Sequence, residues 1–261
     1  MGTSKKKRAM SSDSARNVRK EGHNKARLFA TKIGLNEDYQ NNPQAKKDVI
    51  DKSGDAHSVK SGKWWQIFLY SRNRMDSDYI FQTMDGIGDI VIKILDVFPS
   101  KRKDYEKNKK FYKKKLGPLM VELKDKLCGN RLKSFLYKSI FNAGEVQYLT
   151  INPKDTNKFL VFYYEDVIDV LSIKLVVENS KARVADQYDD QKVIFKEKNN
   201  FKNVGEIEVR NDSEVHYREI KFRLNAEKIT NILKENIKEV KDIGKNVRLY
   251  GKAIKKFKKP N

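Results

Sequence analysis

The sequence is short of the residues that staple a fold or ligate soft metals. Its 261 residues include one cysteine, Cys128, and three histidines. A lone thiol closes no internal disulfide, so a disulfide scaffold and a cysteine-rich zinc site are excluded, and a reducing, cytoplasmic setting is expected. His57 and His216 are isolated, with no His/Cys cluster for zinc. Long apolar runs are missing as well. The best, Ile87–Phe98, is broken by Asp89, Lys93 and Asp96, short of the ~18–20 residues of a membrane span. The basic start Met1–Arg8 leads into no apolar stretch, so no secretory signal is expected. Met1-Gly2 lacks the Ser or Thr at position 6 that myristoylation prefers. Gly86-Ile-Gly88 has no following Lys-Ser/Thr and is no phosphate loop. Neither a Ser-His-Asp arrangement nor an internal repeat is visible.

Cationic charge is abundant. Lys and Arg number 56 against 35 Asp and Glu, a formal charge of +21. A field of that sign attracts polyanions, nucleic acid first among them. An anionic membrane would call for a basic amphipathic helix or a lipid anchor instead. With 13 Phe and 12 Tyr there is apolar matter for a true core, so global disorder is excluded.

Residues 1–13 read as a flexible basic arm, with Lys5–Arg8 able to touch phosphates. A helical pattern runs from Ser14 to about Gly34, a polar loop follows over 36–46, and short strands are expected at 48–51 and 57–61 around the turn Lys52–Asp55. Lys63–Tyr70 reads as a third strand and 76–98 as a helix. Lys101–Lys115 holds nine Lys/Arg against two acids and reads as a helix with one apolar edge, followed by helices over 118–141. Strands are expected at 146–151, 158–163, 172–177, 192–196, 204–210 and 215–224, a helix at 226–240, and a basic tail at 252–259. This order predicts one mixed α/β domain over 14–261: a core segment at 14–75, a helical segment at 76–145 and a strand-rich segment at 146–261.

The chemistry concentrates in Lys46–Gly62. An acidic strand enters a tight turn and returns with a lysine. Side chains alternate along a strand, so Ser58 and Lys60 share a face. Antiparallel pairing is expected to set Lys60 opposite position 47, 48 or 49, giving a carboxylate and an ammonium on one surface. Cleaving a phosphodiester uses this combination. A hard cation such as Mg²⁺ is held by carboxylate and phosphate oxygens, and a lysine orients water and stabilises developing charge.

Asp48-Val-Ile followed by Ser58-Val-Lys60 resembles the PD-(D/E)xK nuclease core, in particular that of type II restriction endonucleases. The resemblance covers residues 14–70. It departs from the pattern in two places: no proline precedes Asp48, and Ser58 stands where Asp or Glu is usual. Some members of the family move the missing carboxylate onto the preceding helix, where Glu21 lies. The resemblance implies a mixed sheet flanked by helices, with Glu21, Asp48 and Asp51 as Mg²⁺ ligands and Lys60 positioning water. Asp48 and Asp51 compete for the ligand role, Asp48 being favoured because it lies on the strand.

Asp212, Glu219 and Lys221 form a second D-x(6)-E-x-K match, late in the chain and without a Glu-bearing helix before it. DNA contacts are expected from Ser61, Lys63 and Gln66 beyond the catalytic strand and from Arg72 and Arg74 beyond the third. Arg210, His216, Arg218 and Arg223 are expected to contact DNA from the late strands, since Arg reads guanine and Gln reads adenine in the major groove. Trp64 and Trp65 are expected to face opposite ways, with core packing the main role. The implied activity is Mg²⁺-dependent, site-specific cleavage of double-stranded DNA by a homodimer, with a cognate DNA methyltransferase in the same system. The alternatives are a non-catalytic basic nucleic-acid-binding protein and a structure-specific repair nuclease.

Overall fold

The computed structural model describes residues 12–35, 47–82, 84, 86–154, 156–183 and 187–258. Most of the expected basic arm, the 36–46 loop and Lys259 of the tail lie outside them. Helix α1 (Ser12–Lys32) matches expectation. It buries Ala26, Phe29, Ala30 and Ile33, the spacing of one helical face. Gly34, at φ 79°, ends it. The Leu35 amide donates to Ala30 O at 3.0 Å and the Gly34 amide to Thr31 O at 3.1 Å, the bond pair of a Schellman stop.

Strands β1 (Val49–Ile50) and β2 (Ala56–Lys60) form the expected hairpin, and β3 (Trp64–Tyr70) follows. The single helix expected over 76–98 is three pieces: α2 (Arg72–Ser77), α3 (Tyr79–Gln82) and α4 (Ile87–Asp96). Asp78 makes the first break, its Oδ1 accepting the Phe81 amide at 3.2 Å as a helix cap does. Left-handed Gly86 makes the second. Next come α5 (Arg102–Lys107), α6 (Lys109–Lys126), α7 (Gly129–Phe141), β4 (Tyr148–Ile151) and β5 (Phe159–Tyr163).

Helix α8 (Tyr164–Lys174) precedes β6 (Leu175–Asn179), where a strand was expected from 172. Acids Glu165 and Asp166 open α8, and Val167, Ile168 and Leu171 point inward, so helical burial outweighs the β-branched content. The rest is β7 (Lys192–Glu197), β8 (Asn203–Arg210), β9 (Glu219–Asn225), α9 (Ala226–Asn236), β10 (Val240–Ile243), β11 (Val247–Tyr250) and α10 (Ala253–Lys256). The final hairpin, β10–β11, has no counterpart in the expected pattern.

The strands form two sheets. The first runs β1-β2-β4-β5-β11-β10, and the second runs β3-β9-β8-β7-β6. In the first, β2 lies parallel to β4, with His57 opposite Tyr148. Alternation sorts its residues between two cores. Val49, Tyr148, Phe159, Val161, Val247 and Leu249 pack with α1 and Phe257. Leu149, Ile151, Leu160 and Phe162 join the larger core with α7 and α8. The second sheet adds Phe68, Phe195 and Phe222 to that larger core. Although it follows β2 directly, β3 pairs with β9, so the chain crosses from one sheet to the other after the hairpin.

A buried ion pair ties α7 to the helix break. Lys138 Nζ lies 3.1 Å from Asp78 Oδ2, with both side chains about one-twentieth exposed. It also donates to Asn142 Oδ1 at 3.1 Å. Removing one partner leaves a buried charge uncompensated. Lys138→Met is therefore expected to lower unfolding stability by about 3–5 kcal/mol in urea titration. A loss under ~1 kcal/mol would show that Asp78 is not held by this lysine.

Candidate functional site

The β1–β2 hairpin brings Asp48 and Lys60 together. The Asp48 amide donates to His57 O at 2.9 Å. Its carboxylate Oδ2 accepts the Val59 amide at 2.7 Å, taking a place a ladder carbonyl would otherwise fill. That anchor leaves Oδ2 at 3.9 Å from Lys60 Nζ, with both side chains partly exposed. Oδ1 has no partner among the described residues. Ser58 lies between Val59 and His57, fully buried, and its Oγ finds no hydrogen-bond partner among the described residues.

The expected three-acid ligand set does not assemble. Asp51 points the other way, only 7% exposed. Its Oδ1 accepts the Ser53 amide at 2.9 Å, the Ser53 hydroxyl at 2.7 Å and the Asp55 amide at 3.1 Å. These bonds close the turn, with Gly54 supplying φ 86°. Asp51 is a turn and core residue rather than a partner of Asp48. Glu21 is exposed on the part of α1 before its buried stretch. That helix packs with Val49 and His57, the sheet face opposite Ser58 and Lys60. Among the described residues, no group of three His, Cys, Asp or Glu side chains converges as a metal site. What remains is the one carboxylate oxygen Asp48 Oδ1, since the Ser58 hydroxyl is fully buried. Hard oxygens of this kind suit Mg²⁺, which is often held by one or two carboxylates plus substrate phosphates.

His57 was read as isolated, yet it centres a buried network. Its Nε2 lies 3.4 Å from Asp51 Oδ2 and its Nδ1 2.9 Å from Thr150 Oγ1. A carboxylate only accepts, so Nε2 carries the proton and Nδ1 accepts from the threonine hydroxyl. The ring stacks on Tyr148 at 4.6 Å, and Tyr148 donates to Asp55 Oδ2 at 3.4 Å. The sequence signal was available: once the turn closes at Gly54, residues 49, 51 and 57 share a face.

The expected DNA-contacting residues fall into separate places. Ser61 and Lys63 lie in the β2–β3 turn, Lys63 exposed. Gln66 pairs opposite Arg223 on the second sheet. Arg223 donates to Glu206 Oε1 at 2.7 Å and lies over the Trp64 ring at 4.7 Å. Trp65 is buried and Trp64 partly exposed, in the expected opposition. Arg72 pairs with Asp76 and with Asp96 at 3.0 Å, Arg210 with Asp212 at 2.8 Å, His216 with Glu219 at 2.7 Å and Arg218 with Asp96 at 3.3 Å. Arg74 rests over the Tyr70 ring at 5.5 Å. Four of these five arginines are thus engaged by acids, and the fifth by a ring.

The second D-x(6)-E-x-K match is also spent on ion pairs. Asp212 and Glu219 hold Arg210 and His216. Lys221 holds Glu208. Burial alone would raise the Glu208 carboxyl, but Lys192 and Lys221 outweigh it and hold it at about 2. The outward strip of the second sheet is therefore a balanced lattice of charge, with Lys192 also pairing Glu206 at 3.3 Å.

Burial depresses the basicity of His57, and Asp51 only partly opposes it, so the folded ring takes a proton less readily than the unfolded one. The unfolded ring takes a proton as pH falls through about 6.5, so the unfolded state then binds more protons and stability falls. Unfolding midpoints measured from pH 7.5 to 5 are expected to drop in the native protein and to flatten in His57→Gln. An unchanged slope in the variant would place the titration elsewhere.

Comparison of the chain with family models, with curated proteins and with solved structures returns no match in any of the three.

Proposed function

We propose that this protein is a nucleic-acid enzyme that hydrolyses phosphodiester bonds in double-stranded DNA, with Asp48 and Lys60 as its reacting-site pair. One observation carries the reading: a carboxylate and an ammonium 3.9 Å apart, partly open to solvent, on one face of the β1–β2 hairpin. Asp48 Oδ1 would hold a Mg²⁺ ion together with substrate phosphate oxygens. Such an ion would neutralise phosphate charge and lower the pKa of bound water. Lys60 supplies a fixed positive charge for a phosphoryl oxygen or an attacking water. The Val59 amide fixes the Asp48 carboxylate, so its orientation is set before substrate arrives. Ser61 and Lys63, next along the chain, would touch the adjoining backbone.

A second reading, a non-catalytic nucleic-acid-binding protein, is favoured by the failure of Glu21 and Asp51 to join Asp48. The two separate cleanly. Purified protein incubated with phage DNA and Mg²⁺ is expected to give discrete fragments. Asp48→Asn and Lys60→Ala are expected to lower the cleavage rate by roughly 100-fold or more while duplex binding persists. Salt-sensitive binding with no cleavage by any form, and no effect of Asp48→Asn, would replace the enzyme with the binding protein. Sedimentation with a palindromic duplex tests the homodimer that a two-fold site would require.

A further inference from the structure

We infer that the α5–α6 ridge is a second binding surface, one that holds an unpaired stretch of nucleic-acid strand, its phosphates on lysines and a base on Phe111. The inference rests on the nucleic-acid reading above but not on Asp48 or Lys60. The late-strand arginines expected to meet DNA are engaged by acids; this ridge is different. Its two acids are committed locally, Asp104 to Lys107 at 3.4 Å and Glu106 to Arg102 at 2.7 Å. Lys103, Lys109, Lys110, Lys113 and Lys114 meet no acid among the described residues.

The inner side of α6 is fixed by Leu116, Met120 and Leu123, all buried. The helical period then turns Lys110, Lys114, Phe111 and Lys115 outward together. Lys109 with Lys113 and Lys110 with Lys114 are like charges four residues apart, an arrangement that weakens a helix. A polyanion relieves that repulsion. Asn108, at φ -130° and ψ 39°, breaks the expected single helix, and within α6 the stretch Lys109 to Lys115 spans about 9 Å at 1.5 Å per residue.

Phe111 decides what kind of polyanion fits. The residue is 51% exposed on a strip otherwise made of lysine. Tyr112 meets it edge-on at 5.2 Å and 79°, and Tyr112 in turn touches buried Tyr105 at 6.0 Å, so the ring has a fixed support. Lys115 Nζ stands 4.4 Å from its centroid. An aromatic platform among phosphate-binding cations is the pattern of single-strand binding. A lone ring gives too little apolar surface for an interfacial membrane helix. Lysine rather than arginine predicts contact without base reading.

The test uses the full chain and fluorescence anisotropy with labelled 20-nucleotide oligothymidylate, the same length of oligouridylate, and a duplex, each over a salt series. Lys110→Ala/Lys114→Ala is expected to weaken binding and to reduce the single-strand salt slope by about 1.4, at ~0.7 per phosphate contact. Phe111→Ala is expected to weaken single-strand binding roughly tenfold and to leave duplex binding unchanged. Lys20→Ala/Lys32→Ala on α1 is the control and is expected to change neither. The two oligonucleotides tell a DNA strand from an RNA strand. Single-strand affinity untouched by Phe111→Ala, or lowered equally by the control, would overturn the inference while leaving duplex cleavage standing. No binding of any nucleic acid by the native chain would overturn the proposed function as well.

Discussion

Strand β2 is held from both sides, and the rest of the molecule is arranged around that fact. On one side it pairs with two-residue β1; on the other it lies parallel to β4 over residues 57–60 and 148–151. The pairing decides which way every side chain of the hairpin points. His57 and Val59 go to the α1 side, while Ser58 and Lys60 go to the other. A slip of one residue would exchange the two sets, turning an ammonium toward the α1 core and taking the imidazole away from Asp51 and Thr150. The Asp51–His57–Thr150 network opposes that slip, because its hydrogen bonds form only in this register.

The same constraint explains why one expected cluster became two. Asp48 and Asp51 are three positions apart, so strand alternation places them on opposite faces. Reading the acids as one ligand set treated nearness in sequence as nearness in space. Asp51 is consumed by the turn and the imidazole; Asp48 is left with the lysine.

Much of the fold was legible where a pattern was local. The α1 face repeats every three to four residues, the Gly54 turn follows from turn chemistry, and the aromatic strand at 64–70 is rich in ring and branched residues. Less was legible where partners are remote. Nothing near Trp64 says that β3 pairs with residues 219–225 and abandons its neighbour β2. Nothing near Arg210 or Arg223 says that acids on adjacent strands will absorb their charge. The segment 164–174 has strand-forming residues but inward positions at helical spacing, so burial decides it. That Asp48 and Lys60 share a face was legible, but their pairing was not: Val49 stands opposite His57, which carries Lys60 past positions 47–49, and it reaches Asp48 only diagonally; the separation of Glu21 was not legible either, because it depends on which side of the sheet α1 settles.

The crossing of β3 from one sheet to the other has a consequence for how the chain assembles. Ala56 and Gln147 bond across 91 positions, Phe159 of β5 pairs with Val247, 88 positions on, and Gln66 of β3 with Arg223, 157 positions on. Contacts of such long range slow folding, since loop closure precedes the reward. On a ribosome adding about 5–20 residues each second, the hairpin and the aromatic strand would stand incomplete for several seconds. During that interval Trp65 and Phe68 have no sheet to cover them. The aromatic third strand is thus open to misassociation until β9 arrives, and a formal charge of +21 opposes contact between like copies.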